Sequence, residues 1–188
     1  MIFHLFGGQC SGKTTIANRL KDDPDILAIS HWDILEDFYI KEEIISEGVM
    51  DWDKLDQKRH WIQEILVAFI NKNIKTHILI ESSGSNKTMN RTLKEYGVTP
   101  VFMGVPTQKQ VVSRCQYRDV DPIKVINFNK SMATKYGRIQ AYLPEVITLD
   151  EAIVFIKEKI AEEGKEAASL RAKALRSTRQ QRKEVFDG

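Results

Sequence analysis

A glycine-rich stretch near the first residue has the residue types and the spacing of a loop that binds nucleotide phosphates. It reads Gly-Gly-Gln-Cys-Ser-Gly-Lys-Thr from Gly7 to Thr14, fits the pattern G-x-x-x-x-G-K-[ST], and lies between an apolar run and an amphipathic stretch. In such a loop, backbone N–H groups and the positive end of a helix dipole face the phosphate oxygens. We therefore expect a nucleoside triphosphate, with the Lys13 ammonium on its β- and γ-phosphates and the Thr14 hydroxyl on Mg²⁺.

The whole loop is predicted to take part in binding ATP. The residues concerned are Gly7, Gly8, Gln9, Cys10, Ser11, Gly12, Lys13, Thr14 and Thr15. Cys10 occupies a position of the pattern that any residue can take. It is therefore either a residue without a specific role or a redox-sensing thiol.

Other segments separate the classes of protein that use such a loop. GTP-binding switches need a guanine-reading N-K-x-D segment, and both near matches, Asn86–Met89 and Asn129–Met132, have Met in place of the aspartate. A motor ATPase needs a strand that ends in Asp-Glu. Asp150 and Glu151 offer that pair, but Asp150 is better explained as the N-cap of a terminal helix. These observations favour a small kinase over a switch or a motor.

A kinase also needs a carboxylate that activates a hydroxyl and arginines that neutralise the transferring phosphoryl group. Asp33 follows the second predicted strand, where it is a candidate base and also a candidate N-cap for a helix that starts near Ile34. Arg114 and Arg118 are four residues apart on a predicted helix, so they either close over the triphosphate together or form a solvated face. Glu81, at the end of the third strand, either holds metal-bound water or the acceptor, or caps buried backbone.

Apolar runs that alternate with amphipathic stretches place these residues on a parallel α/β fold. The segment of 47 residues between the second and third strands is expected to hold two helices. Pro100 shifts the start of the fourth strand to Val101. Two helices then follow, Gln108–Asp119 and Pro122–Lys135, the second with Asp121 as its N-cap. The five predicted strands are Ile2–Phe6, Ile26–Ile29, His77–Glu81, Val98–Val105 and Glu145–Leu149.

The expected architecture is a three-layer P-loop NTPase fold with a five-stranded parallel sheet, a helical acceptor lobe at residues 34–73 and an arginine-bearing lid at residues 108–121. A chain of 188 residues that is 42% hydrophobic and 29% charged suits one core, which we assign to residues 1–163. Residues 164–188 form a basic segment with seven lysines and arginines against three acidic residues, whereas the remainder has 21 against 23. This segment is a solvated helix, a partner-binding element or a contact to nucleic acid.

Composition also excludes several classes of protein. The net charge of +2 is no global signature of nucleic-acid binding, and two cysteines make no disulfide framework. The apolar runs are strand-sized, far below the ~20 residues that cross a bilayer, and no signal-peptide pattern is present. These features predict a cytoplasmic protein without a membrane span, and they leave the oligomeric state open.

The motifs resemble the kinase domain of bacteriophage polynucleotide kinase over roughly Met1–Gly137. The resemblance implies ATP-dependent transfer of the γ-phosphoryl group to a hydroxyl of nucleic acid, with Asp33 as the general base. The segments that carry it are Gly7–Thr15, Ile29–Asp33, Ile78–Ser82, Val105-Pro106-Thr107 with Arg114 and Arg118, and Pro122–Ile126.

The acceptor side departs from that family. The family has an arginine shortly after the base, where this chain has Ile34-Leu35-Glu36, and an Asp-Thr pair where this chain has Glu81-Ser82. Trp32, beside Asp33, either packs in the core or stacks on a nucleobase. The acceptor is therefore a polynucleotide 5′-hydroxyl, a modified base such as 5-hydroxymethyluracil in DNA, or a free nucleoside or nucleotide. A nucleic-acid-stimulated ATPase is the other alternative.

Overall fold

Strands and helices alternate along the chain. The computed structural model of the protein describes residues 1–47, 49–118, 120–140 and 148–166, and only the backbone of residues 138–140. The strands are β1 (Ile2–Phe6), β2 (Ile26–Ser30), β3 (Ile45–Ser46), β4 (Val49–Met50), β5 (His77–Ser82) and β6 (Thr99–Phe102). The helices are α1 (Lys13–Leu20), α2 (His31–Lys41), α3 (Trp52–Gln57), α4 (Arg59–Lys72), α5 (Lys87–Glu95), α6 (Gln108–Cys115), α7 (Pro122–Ser131), α8 (Ala133–Gln140) and α9 (149–166).

The chain divides into two compact units, residues 1–153 and 154–188. The first unit holds the sheet and most of the helices. In the second unit, residues 154–166 are helical, whereas residues 167–188, which make up most of the predicted basic segment, lie outside the described residues. No helix within the described ranges is both long and apolar enough to span a bilayer.

The main sheet is parallel and has the strand order β2-β5-β1-β6. Ser30 pairs in register with Glu81, and Phe6 pairs with both Ser82 and Phe102. Since all four strands end at the same level, the loops that follow them leave from one edge of the sheet. That edge is where open α/β folds bind their ligands.

Helices cover both faces of this sheet. Ile78 and Ile80 of β5 pack in one buried cluster with side chains of α2, α4 and α5. Leu79 points to the opposite face because side chains alternate along a strand, and it is fully buried as well. Burial on both faces explains the continuous apolar runs of the strands and confirms the predicted three-layer α/β fold.

The described part of the main sheet has four strands, whereas five were predicted. Residues 145–147 of the fifth predicted strand lie outside the described residues, and Leu149 is already helical. The Thr148 backbone N–H and hydroxyl both donate to the Glu151 carboxylate, at 2.8 and 2.6 Å, which starts α9 at this point. The N-cap of α9 is therefore Thr148 and not Asp150, as was predicted. Asp150 instead forms an exposed ion pair with Arg19 at 3.1 Å.

The fourth strand also differs from its prediction. It begins at Thr99 rather than Val101, contains Pro100, and ends at Phe102, short of the predicted Val105. Among the described residues β6 pairs only with β1, so the missing N–H of Pro100 interrupts no second ladder.

The acceptor lobe contains three helices and a short hairpin, where two helices were predicted. Glu43 and Glu47 adopt left-handed conformations, with φ of 51° and 52°, on either side of β3. Helix α2 starts at His31 rather than Ile34, because the Ser30 hydroxyl accepts the Trp32 N–H at 3.2 Å and is the N-cap. The alternative role of Asp33 as N-cap was therefore wrong, and Asp33 lies in the first turn.

The lid helix ends earlier than predicted. Helix α6 starts with a capping box between Thr107 and Gln110 and stops at Cys115 rather than residue 119, so Arg118 lies in a turn beyond it. The residue before a proline avoids helical angles, and the chain must leave the helix before the Asp121-Pro122 pair. Asp121 accepts the Ile123 N–H at 2.8 Å, which confirms it as the N-cap of α7.

Candidate functional site

The loop between β1 and α1 is held tightly against the chain that follows β6. The Gly8 N–H donates to the Gly104 carbonyl at 2.9 Å. A Cβ on Gly7 would lie 2.8 Å from that same carbonyl oxygen, and Gly12 has a φ of 105° directly before α1. Both positions therefore require glycine, one for close approach and one for backbone angle. The strand, loop and helix predicted from the sequence are all present.

Lys13 folds back onto the loop. Its ammonium donates to the carbonyl oxygens of Gly8 at 2.8 Å and Gly7 at 3.2 Å, and the side chain is buried. Burial lowers the pKa of Lys13 to about 8, although the Glu81 carboxylate opposes this shift. An ammonium held here by weak carbonyl partners can exchange them for phosphate oxygens, which are stronger acceptors.

Thr14 and Glu81 face each other across the end of the sheet. The Thr14 hydroxyl donates to Glu81 Oε1 at 2.9 Å. Both side chains line a cavity of about 310 Å³, together with Lys13 and Arg118. Hydroxyl and carboxylate oxygens are the donors that Mg²⁺ prefers, so this pair fits the ion next to the expected phosphates. The Thr14–Glu81 contact favours the metal-side role of Glu81 over buried capping.

Two side chains that the sequence analysis missed hold the loop from outside. Asn129 of α7 is buried, accepts the Gln9 N–H at 2.8 Å and donates from Nδ2 to the Gln9 carbonyl at 3.2 Å. The Tyr136 hydroxyl lies 3.1 Å from the Gly7 carbonyl oxygen and 2.7 Å from that of Ser83. Burial raises the pKa of Tyr136 to about 12, so the hydroxyl stays a neutral donor. The sequence analysis noted Asn129 only as the first residue of Asn129–Met132, a near match to the guanine-reading segment that lacks its aspartate.

Replacement of Asn129 by alanine should weaken nucleotide binding about tenfold and lower the free energy of unfolding by about 1–3 kcal/mol. The substitution removes the hydrogen-bond partners of both the N–H and the carbonyl of Gln9 and frees the loop to adopt other conformations. Titration with ATP and denaturant unfolding would measure the two effects. Asn127→Ala is the matched control, since Asn127 lies exposed on the same helix. Equal effects of the two variants would contradict the positioning role of Asn129.

A larger cavity, of about 490 Å³, lies between the loop and the lid. Arg114 and Arg118 both line it, and Arg114 Nη1 donates to the Cys10 carbonyl at 2.5 Å. Arg118 also lines the smaller cavity beside Glu81. The structure thus brings both predicted arginines to the loop, although one is on α6 and the other in the turn after it. The volume is within the range of small-molecule sites.

The residues predicted for the acceptor side lie at the start of α2. His31 is largely enclosed, and its buried Nδ1 has no hydrogen-bond partner among the described residues. Burial lowers the pKa of His31, although a hydrogen bond with the Glu81 backbone and the charge of Asp33 both act to raise it. Asp33 itself is exposed, directly beside Trp32. The structure therefore brings Lys13, Arg114 and Arg118 to the loop, and it places Asp33 next to the residues of a separate cavity.

That separate cavity, of about 220 Å³, has aromatic and basic walls. Trp32 lines it with 37% of its surface exposed, and Trp52, Lys87 and the ion pair of Arg59 with Asp56 line it as well. Trp32 is therefore a wall of this cavity and not a core residue. Such a mixture of aromatic and basic side chains suits an aromatic ring that carries phosphate.

Comparison with known proteins identifies similar structures but no family. No protein-family model matches the chain, and no curated protein matches its sequence. A chain of the Pnkp1/Rnl/Hen1 complex is 15% identical with a TM-score of 0.42, over 61% of this chain and 38% of that one. Shikimate kinase from Aquifex aeolicus is 20% identical with a TM-score of 0.45, over 73% of this chain and 82% of that one. Both scores are below 0.5, so the fold is assigned from the chain's own parallel sheet and phosphate loop.

Proposed function

We propose that the protein is an ATP-dependent kinase that transfers the γ-phosphoryl group to a hydroxyl of a nucleic acid, in the first instance a polynucleotide 5′-hydroxyl. The observation that carries this proposal is the grouping around the loop. The Lys13 ammonium, the Thr14–Glu81 pair and Arg118 share one cavity. A second cavity with aromatic and basic walls lies at the end of strand β2. This strand pairs with β5, the strand that carries Glu81.

Each of these groups has a role in an in-line transfer. Loop N–H groups and Lys13 bind the phosphates, and Thr14 and Glu81 would hold a Mg²⁺ ion, which would neutralise phosphate charge. The acceptor oxygen forms a bond to the γ-phosphorus as the bond to the β–γ bridging oxygen breaks, and ADP leaves. The acceptor proton passes to the Asp33 carboxylate. Arg114 and Arg118 stabilise the charge that develops on the transferred group.

The cavity beside α2 supports a nucleotide-like acceptor. Trp32 and Trp52 offer faces on which a base can stack, and Lys87 offers a cation for its phosphate. Lys87 thereby supplies a positive charge that the three residues after Asp33 lack, whereas Arg59 is paired with the Asp56 carboxylate in the same wall.

A labelling experiment tests the reaction and identifies the acceptor. The protein is incubated with γ-labelled ATP, Mg²⁺ and four oligonucleotides, with a 5′-hydroxyl or 5′-phosphate end and with or without 5-hydroxymethyluracil. Free nucleosides and nucleotides complete the panel. We expect label on both 5′-hydroxyl oligonucleotides and on neither 5′-phosphate form.

The other outcomes are equally distinct. Label that requires hydroxymethyluracil, whatever the end group, identifies the modified base as acceptor, and label on free nucleosides or nucleotides identifies a small acceptor. Free phosphate that rises with nucleic acid but without labelled acceptor means an ATPase and contradicts the kinase.

A further inference from the structure

Two cysteines far apart in the sequence meet between the phosphate loop and the lid. Cys10 is in the loop and Cys115 is the last residue of α6, and their sulfur atoms are 3.8 Å apart. Cys10 has a φ of 62°, a left-handed conformation that is unusual for a residue other than glycine. Its side chain packs against a buried cluster of Val111, Cys115 and Val125. The pair therefore joins two elements of the candidate site that are otherwise separate in the chain.

The two thiols differ in accessibility. Cys10 is half-buried and Cys115 is buried, with 4% of its surface exposed. Burial, followed by the contact with Cys10, raises the pKa of the Cys115 thiol. An oxidant from solvent thus reaches Cys10 first, while Cys115 is placed to attack the oxidised sulfur.

We propose that Cys10 and Cys115 form a redox-modification site, in which a peroxide converts them to a reversible intramolecular disulfide that blocks nucleotide binding. Hydrogen peroxide oxidises the Cys10 thiol to a sulfenic acid and is reduced to one water. The Cys115 sulfur then attacks the Cys10 sulfur, the S–S bond forms as the S–O bond of the sulfenic acid breaks, and the leaving hydroxide takes the Cys115 thiol proton and departs as a second water. In total, two thiols lose two electrons and two protons, and one peroxide becomes two waters.

The bond would act on the phosphate loop directly. The two sulfurs must approach by about 1.8 Å to reach the normal S–S length of about 2.0 Å. The Cys10 carbonyl already accepts a hydrogen bond from Arg114, one residue before Cys115. A covalent link at the same place shifts the loop or the end of α6 out of the positions in which Cys10 and Arg114 line the larger cavity, and this shift distorts the cavity in which the nucleotide is expected. This consequence rests on the proposed function, whereas formation of the disulfide does not.

The test uses the full chain, reduced and then exposed to hydrogen peroxide. We expect an intact mass lower by two hydrogens and a Cys10–Cys115 cross-linked peptide after digestion without reductant. Affinity for a fluorescent ATP analogue should fall at least tenfold and return after dithiothreitol. Cys115→Ala should bind the analogue as the reduced parent does and should form no intramolecular disulfide. If that variant folds poorly, Cys115→Ser provides the same comparison.

The outcomes separate this inference from the proposed function. Two free thiols after peroxide treatment would overturn the modification site, and a disulfide with unchanged affinity would overturn its effect on the loop. If the reduced chain binds no ATP analogue, the proposed function fails. The mass and peptide measurements then still decide whether the disulfide forms.

Discussion

Replacement of Lys13 by methionine should reduce phosphoryl transfer by a factor on the order of 10²–10³ or more. The ammonium is buried, within 2.8 Å of the Gly8 carbonyl, and in the proposed reaction it is the cation that binds the β- and γ-phosphates. Methionine keeps most of the aliphatic volume, so the loss would be one of charge and hydrogen bonding. Transfer of label from ATP to a 5′-hydroxyl oligonucleotide measures the effect.

The control for this change is Lys21→Met, which removes the same charge from an exposed residue just after α1. Thermal unfolding of both variants separates loss of chemistry from loss of fold. Transfer by Lys13→Met at the parent rate would remove the phosphate loop from the mechanism and refute the kinase proposal as a whole.

Replacement of Asp33 by asparagine should lower kcat by a factor on the order of 10²–10⁴ and leave ATP affinity unchanged. Asparagine has nearly the same shape but cannot accept the acceptor proton. Asp33 is exposed in the first turn of α2, so its replacement should change the free energy of unfolding little. Single-turnover transfer and equilibrium ATP binding, measured on the same preparation, separate the two expectations.

Asp37→Asn provides a matched control, because Asp37 is an exposed residue one turn further along the same helix. Parent-like turnover in Asp33→Asn would place the base elsewhere. His31 would then be the first residue to test, since its buried Nδ1 has no partner in the described structure and the residue lines the cavity of about 220 Å³ beside α2. In that case His31→Asn should show the loss of kcat that Asp33→Asn lacks.

Local sequence patterns predicted the parts of the fold that depend on local chemistry. The apolar runs marked β1, β2 and β5 to within one residue, because strands buried on both faces need continuous apolar side chains. Asp121 and Pro122 marked the start of α7, since an N-cap followed by proline satisfies the first helical turn. The rule that proline is excluded from a strand was wrong for Pro100. Whether a strand tolerates proline depends on its position in the sheet, and that position is not a local property of the sequence.

The candidate site shows the same division. Lys13 and Thr14 could be identified because one short motif contains both residues and the glycines that shape the loop. Arg118 was assigned to a helix, but α6 ends before it, at Cys115. The helical spacing of the arginines was therefore the wrong reason for placing both at the loop.

By itself, the sequence determined a phosphate-binding loop between a strand and a helix, on a parallel α/β fold, because backbone angles, periodicity and capping act over a few residues. Only the tertiary structure decided which distant side chains complete the site. Thr14 meets Glu81 across 67 residues, Cys10 meets Cys115 across 105, and Gln9 meets Asn129 across 120. Such contacts arise from the order of strands in the sheet and the packing of α6 and α7 against the loop, and a single sequence carries no local pattern for either.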